Sequence, residues 1–256
     1  MDRGAGRAEI LKGATATGGN RTGGVVIFPN AMTEFLDRIH DKWRDRVLTG
    51  LTILMVVHLF GVAPIETTVP YLRPVGIVFV ALLAVGLLIL SRSVVPVLGI
   101  IAVVGLLAAA LILRARGGHQ VLDVCLQAMA WLLIALVIIW AVARAVFEPG
   151  RVTYHRVVGA ILLYLTIGLV FVALYTLVGA ISPSAFTGIS IAARVSLPSD
   201  LVYFSFTTLT TLGYGDIMPV HPIARSLTNI EAILGQLYPA TLLARLVSLE
   251  QGPVRG

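Results

Sequence analysis

The chain has 256 residues, of which 57% are hydrophobic and 12% charged, and its mean hydropathy is +0.93. A soluble domain carries about 25% charged residues to coat its exterior, so this composition excludes a cytosolic enzyme and implies an integral membrane protein. The net charge of +6 reads as the positive-inside bias of membrane loops, not as a nucleic-acid footprint. A single cysteine, Cys125, permits no intramolecular disulfide.

Residues 1–30 read as a disordered cytoplasmic tail. They are polar and Gly- and Ala-rich up to residue 24, and they lack the apolar core of a signal peptide. Residues 31–46 form an amphipathic pattern, with Met32, Phe35, Ile39 and Trp43 on one stripe that continues to Val47. That pattern fits a helix lying in the membrane interface, or equally one packed on another part of the protein.

Apolar segments of spanning length, which is about 20 residues, follow at 47–64, 71–90, 94–113, 121–147, 156–181 and 223–249. The fold class expected is an all-α membrane protein with six transmembrane helices. Residues 47–147 make a four-helix domain, 148–249 a second unit, and 250–256 a short cytoplasmic tail. The hairpin 71–113 is almost bare hydrocarbon and suits contact with membrane lipids. With both termini inside, only Arg73, Arg114, Arg116, Arg194 and Arg225 of the 19 Lys and Arg residues fall outside, so both ends are expected in the cytoplasm.

Residues 182–222 differ in kind. They are mixed in polarity, rich in Ser and Thr, and interrupted by Pro183, Pro198, Pro219 and Pro222. Ser199 or Asp200 is a good N-cap, and 201–210 read as a short helix. A helix of that length starting at the outer surface must dip into the membrane and return. Non-helical backbone at membrane depth is tolerated only where protein buries it or where it lines a water-filled path. The re-entrant helix followed by Thr211-Leu212-Gly213-Tyr214-Gly215-Asp216 therefore implies a pore. Two glycines around one tyrosine free the backbone to aim successive carbonyls at one axis. The helix also turns its partly negative end, about half a charge, toward the membrane centre.

The run Thr210-Thr211-Leu212-Gly213-Tyr214-Gly215-Asp216 resembles the selectivity filter of the tetrameric potassium channel superfamily, in its six-span, one-pore-loop form of prokaryotic type. The resemblance covers roughly 156–249 as outer helix, turret, pore helix, filter and inner helix. It implies that carbonyls of Thr211, Leu212, Gly213 and Tyr214, with the Thr211 hydroxyl, bind potassium, with Gly215 completing the filter. Leu212 replaces the commonest valine, but its side chain points away from the ions. Tyr203 and Phe204 match an aromatic cuff around the filter, with the Tyr203 hydroxyl toward Asp216. Thr207, Thr208, Asp216 and Glu231 are expected to support the filter. Glu231, the one carboxylate deep in a span, is expected to hydrogen-bond Thr207 or Thr208, either as a plain brace or with a regulatory role.

Gly235 stands at the offset of the family's hinge glycine, and Pro239 follows one turn later. Gly235 serves either as a hinge or for close helix packing. Gln236, Pro239, Leu243 and Val247 share one face and are expected to line the cavity and inner gate. One filter copy per chain implies a homotetramer. Potassium is the permeant ligand, and no cofactor, nucleic-acid partner or appended soluble ligand-binding domain is expected. The expected location is a plasma membrane of prokaryotic type.

The fourth span holds Arg144 alone where a voltage sensor needs a series of basic residues. No His-Glu-x-x-His or Gly-x-Ser-x-Gly motif marks an enzyme. The alternatives are a potassium uptake transporter subunit, whose class carries four non-identical loops in one chain, and a non-conducting subunit of a heteromeric channel.

Overall fold

The computed structural model describes residues 46–62, 65, 73–90, 94–117, 120–147, 154–189 and 199–250. The tail expected at 1–30, the interfacial helix at 31–46 except Arg46, the turret residues 190–198 and the final residues 251–256 lie outside the described residues. Helix α1 spans Arg46–Val62 and closes in a π-turn at His58–Val62. Then come α2 (Arg73–Leu90), α3 (Val94–Ala115), α4 (Gln120–Phe147) and α5 (Tyr154–Ile181). After a two-residue strand β1 (Phe186–Thr187) follow α6 (Ser199–Leu209), β2 (Met218–Pro219) and α7 (Pro222–Glu250).

Three helical stretches among the described residues are both long and apolar enough to cross a membrane: Val94–Ala115, Val121–Arg144 and Val157–Ile181. They make this a helical membrane protein. The six expected spans are met less evenly. Among the described residues, α1 (Arg46–Val62) and the 18-residue α2 (Arg73–Leu90) lie at the short end of the length that crosses a membrane. Helix α7 is long enough, since 29 residues reach about 44 Å, but it carries Arg225, Asn229, Glu231, Gln236 and Arg245. It departs from the expected pattern through polarity, not through length.

Helix α5 is the centre of the molecule. Its apolar residues run all round the helix, and Leu162, Val172 and Tyr175 are wholly buried. A helix apolar on every side is one surrounded by protein or lipid. Helix α4 packs along α5, burying Ile138 and Val142, while α3 leaves Leu98, Ile101, Val104 and Leu111 exposed. At the α3–α4 turn Arg114 bonds Asp123 at 2.8 Å, so these two charges close a hairpin. His58 stacks on Phe79 of α2 with ring centroids 3.7 Å apart.

The two short strands pair antiparallel, Phe186 with Pro219 and Thr187 with Met218. Val220 and His221 add backbone bonds to the Ala185 carbonyl at 2.8 and 3.2 Å. The end of α5 is thereby tied to the segment just after Asp216.

Candidate ion pathway

Helix α6 begins at Ser199 and ends at Leu209, close to the 201–210 expected from its cap. Its seat is fixed by α5. Gly168 leaves a gap that the Phe206 ring fills, and a Cβ at 168 would stand 2.9 Å from the ring. The Ser205 hydroxyl lies 2.9 Å from the Gly168 carbonyl oxygen, on the same turn of α5. Beyond the helix the chain folds back on its last turn. The Leu212 and Gly213 N–H groups donate to the Thr207 carbonyl at 2.8 and 3.2 Å, and the Thr211 N–H donates to Thr208 at 2.9 Å. The last carbonyls of α6, which a helix end leaves open, thus hold the start of the loop.

In that loop the sign of φ alternates. Thr211 has φ 59°, Gly213 54° and Gly215 80°, while Leu212 and Tyr214 between them are not in the positive region. Left- and right-handed residues in alternation turn successive peptide units so that like groups face one side, as the N–H groups do in backbone nests that hold anions. Glycine accepts this freely. Thr211 does not, because a left-handed residue with a Cβ costs about 1–2 kcal/mol. Such an outlier is held only where its surroundings over-determine it. Here the Thr211 N–H bond to Thr208 and a bond from Gln236 Nε2 to Thr211 Oγ1 at 3.0 Å do so.

The two cuff residues part company. The Tyr203 ring stacks on the Tyr214 ring, centroids 6.2 Å apart and planes at 3°, and its hydroxyl bonds Asp216. Phe204 points the other way. It is buried edge-on against Tyr175 and Phe186, at 5.1 and 5.6 Å, and meets the loop only through the core. On the outer side the Gly188 backbone, with φ 88°, lies against the Asp216 carbonyl so closely that no side chain fits between.

Glu231 is wholly buried, as its place in the span implied, but its partners differ from those expected. Its Oε1 lies 2.5 Å from Ser205 Oγ, and its Oε2 accepts from the Tyr175 hydroxyl at 2.5 Å. Thr207 and Thr208 are not its partners. The Thr207 hydroxyl turns back to the Phe204 carbonyl at 2.9 Å. The reason is phase. Seating Phe206 against Gly168 rotates Ser205 toward α5 and α7 and carries the threonines away. Tyr175 escaped the sequence reading, although a phenol inside an apolar span needs a polar partner. Tyr164 and Tyr238 did too. They stack at 5.8 Å, Tyr164 donates to the Leu209 carbonyl at 3.2 Å, and Tyr238 donates to the Ala160 carbonyl at 2.7 Å.

Below the loop, α7 is helical without interruption through Pro239. Gly235 abuts the Leu209 carbonyl. Gln236, Pro239 and Leu243 line a hollow of about 400 Å³ that also touches Tyr164, Leu209 and Thr210. Val247 is half-exposed one turn further on and is not part of that lining.

Residues 159–251 match the sequence profile of the Ion_trans_2 family, described as ion channel. The chain is 34% identical over 87 residues to Protein LctB of Bacillus caldotenax, covering 33% of this chain and 64% of that protein. It is 41% identical over 66 residues to Protein LctB of Geobacillus stearothermophilus, covering 26% and 46%. It is 33% identical over 64 residues to the inward rectifier potassium channel Kirbac3.1 of Paramagnetospirillum magnetotacticum, covering 25% and 22%. The chain therefore spans less than two thirds of the length of each of these relatives. No solved structure matches it. The matched stretch contains α6, the φ-alternating loop and α7, and this part of the chain is similar to ion-channel domains, one of the relatives being a potassium channel.

Proposed function

We propose that the protein is a potassium-selective channel that passes the ion passively through a homotetrameric pore. One observation carries this reading: the alternation of φ at Thr211, Gly213 and Gly215, in a loop hung from the end of a short helix. In this reading the carbonyls of Thr211, Leu212, Gly213 and Tyr214 and the Thr211 hydroxyl replace the hydration shell of the ion. Four copies are needed because one loop supplies only one side of a ring. The exposed faces of Tyr214, Leu212, Ile230, Ile233 and Leu237 are the surfaces that neighbouring subunits and the pore axis would take up.

The same reading makes α6 a re-entrant pore helix and α7 the inner helix. The polarity of α7 supports it, since a helix with one side on a wet passage need not be apolar all round. Helices α1–α4 then complete six spans, with both termini in the cytoplasm of a prokaryotic-type plasma membrane. The low count of basic residues on the outer side supports that orientation.

The test is ion flux into liposomes holding the purified protein. Potassium uptake that exceeds sodium uptake and is blocked by barium is the expected result. Equal passage of both ions ends the selectivity reading, and no passive flux of either ends the channel reading.

A further inference from the structure

The side chain of Glu231 sits where three helices meet, in contact with no solvent and with no cationic partner among its bonds. Around it run three close oxygen pairs in series. Tyr175 Oη meets Glu231 Oε2, Glu231 Oε1 meets Ser205 Oγ, and Ser205 Oγ meets the Gly168 carbonyl oxygen. Each pair needs one proton between its oxygens. The two hydroxyls supply two, and a carbonyl supplies none. The Tyr175 proton serves the first pair. If Ser205 donates to Glu231, the pair with Gly168 is left as two facing lone pairs. If Ser205 donates to Gly168, the pair with Glu231 is left so instead. Thr228, near Tyr175 at 3.4 Å, does not supply the missing proton, because its own hydroxyl donates to the Ala224 carbonyl at 2.9 Å.

One more proton, on Oε1, satisfies all three pairs. We infer that Glu231 is a neutral carboxylic acid in the folded protein. It accepts from Tyr175 and donates to Ser205, which in turn donates to the Gly168 carbonyl. Glu231 is then a positioning residue. Its proton fixes the direction of a hydrogen-bond chain that runs from α5 through α7 and α6 and back to α5, clamping the helix that carries the loop. A carboxylate in the same place would be a buried charge with no opposite charge bonded to it among the described residues, an arrangement that proteins avoid. The groups bonded to it are Tyr175 from α5 and Ser205 from α6, and near it lie Thr228, one turn back on its own helix, and the Tyr164 phenol of α5. Arg225, the nearest cation before it on α7, is exposed and bonds the Pro219 carbonyl at 3.1 Å.

The consequence for conduction rests on the channel reading above, but the protonation does not, and the two are measured separately. Infrared difference spectra of the full chain in liposomes at neutral pH, wild type minus Glu231→Gln, should show loss of a carboxylic-acid C=O stretch. That band should shift in Ser205→Ala, which removes the acceptor. Loss of carboxylate stretches instead overturns the inference. Potassium flux supplies the second readout. An amide accepts at its oxygen and donates from its nitrogen, so Glu231→Gln should keep flux within about twofold. Glu231→Leu, which removes the acceptor of the Tyr175 hydroxyl and the donor to Ser205, should lower it about tenfold or more, given the usual cost of buried unsatisfied groups. If Gln is as damaging as Leu, the donor role is wrong. If the wild type itself carries no flux, the channel reading fails while the infrared result still decides the proton.

Discussion

The backbone of Gly235 on α7 rests against the carbonyl of Leu209 at the end of α6, with no room for a side chain between them. Of the two readings open for this glycine, hinge or close packing, this contact supplies the second directly. Gly235→Ala should force the two helices apart. Overpacking of this kind costs about 1–3 kcal/mol, so the solubilised protein should melt at a lower temperature and conduct less. A variant that keeps its melting temperature while its open probability changes would favour the hinge alone.

In the channel reading, the bond from Gln236 to Thr211 Oγ1 bears on the innermost ion site. It takes one lone pair of the hydroxyl that the channel reading assigns to potassium. Gln236→Leu returns that lone pair to the ion. A hydrogen bond of this kind is worth about 0.5–1.5 kcal/mol, so barium should block about two- to tenfold more tightly. Dose–response curves for external barium measure this, and affinity unchanged within twofold counts against a role for Gln236 at that site.

The loop geometry gives the third expectation. Gly215 holds φ 80° and Gly213 φ 54°. An alanine at either position is pushed toward negative φ by about 1–2 kcal/mol, and its carbonyl turns off the common side. Reversal potentials under mixed potassium and sodium should show selectivity reduced or lost in Gly215→Ala. Selectivity like the parent's would remove the loop from the ion pathway.

Much of this site was legible along the chain because it is local. The N-cap at Ser199 and Asp200, the threonine run and the paired glycines are neighbours in sequence, and they fix the limits of α6 and the character of the loop without reference to the rest. Both ends of α7 fell within one residue of expectation, 222–250 against 223–249. The partners of Glu231 were not legible, because they depend on the rotation of α6 against α5. That rotation is set by the fit of Phe206 to Gly168, two residues far apart in sequence. Phe204 shows the same limit. Its neighbour Tyr203 faces Tyr214, and only the position of Phe186 and Tyr175 reveals that Phe204 turns into the core.

Arg144 is the one arginine of α4, and its guanidinium lies over the Trp140 ring of the same helix, 4.9 Å from the centroid. It is held by its own helix in that helix's last turn. One charge crossing 100 mV yields only about 2.3 kcal/mol. Currents should therefore vary weakly with voltage, and Arg144→Gln should leave that dependence as it was. A steep activation curve, in either protein, would mean that charge moves elsewhere.

The last expectation concerns the lower half of α7. Pro239 has no N–H, so the carbonyl it would have bonded, that of Gly235, lacks its helical partner. The helix nevertheless continues in helical turns to Glu250. Such a gap is tolerated in a membrane helix when neighbours hold it in place. Here Tyr238 pins the adjoining turn to the Ala160 carbonyl, and Gly235 is wedged at Leu209. Above this turn the helix is fixed by both contacts. Below it, Leu243 and Val247 stand exposed, with the hollow beside Pro239 offering space to move into. Bending at residues 235–239 would swing those two side chains toward or away from the axis, where four apolar groups can stop ions by dewetting. Pro239→Ala restores the missing bond, worth about 0.5–1.5 kcal/mol, and should shift the balance of open to closed states about two- to tenfold. The loop above is a separate element, so potassium selectivity should not change. Single-channel recording measures both quantities at once: open probability equal to the parent's, or altered selectivity with unaltered gating, would place the flexible point elsewhere.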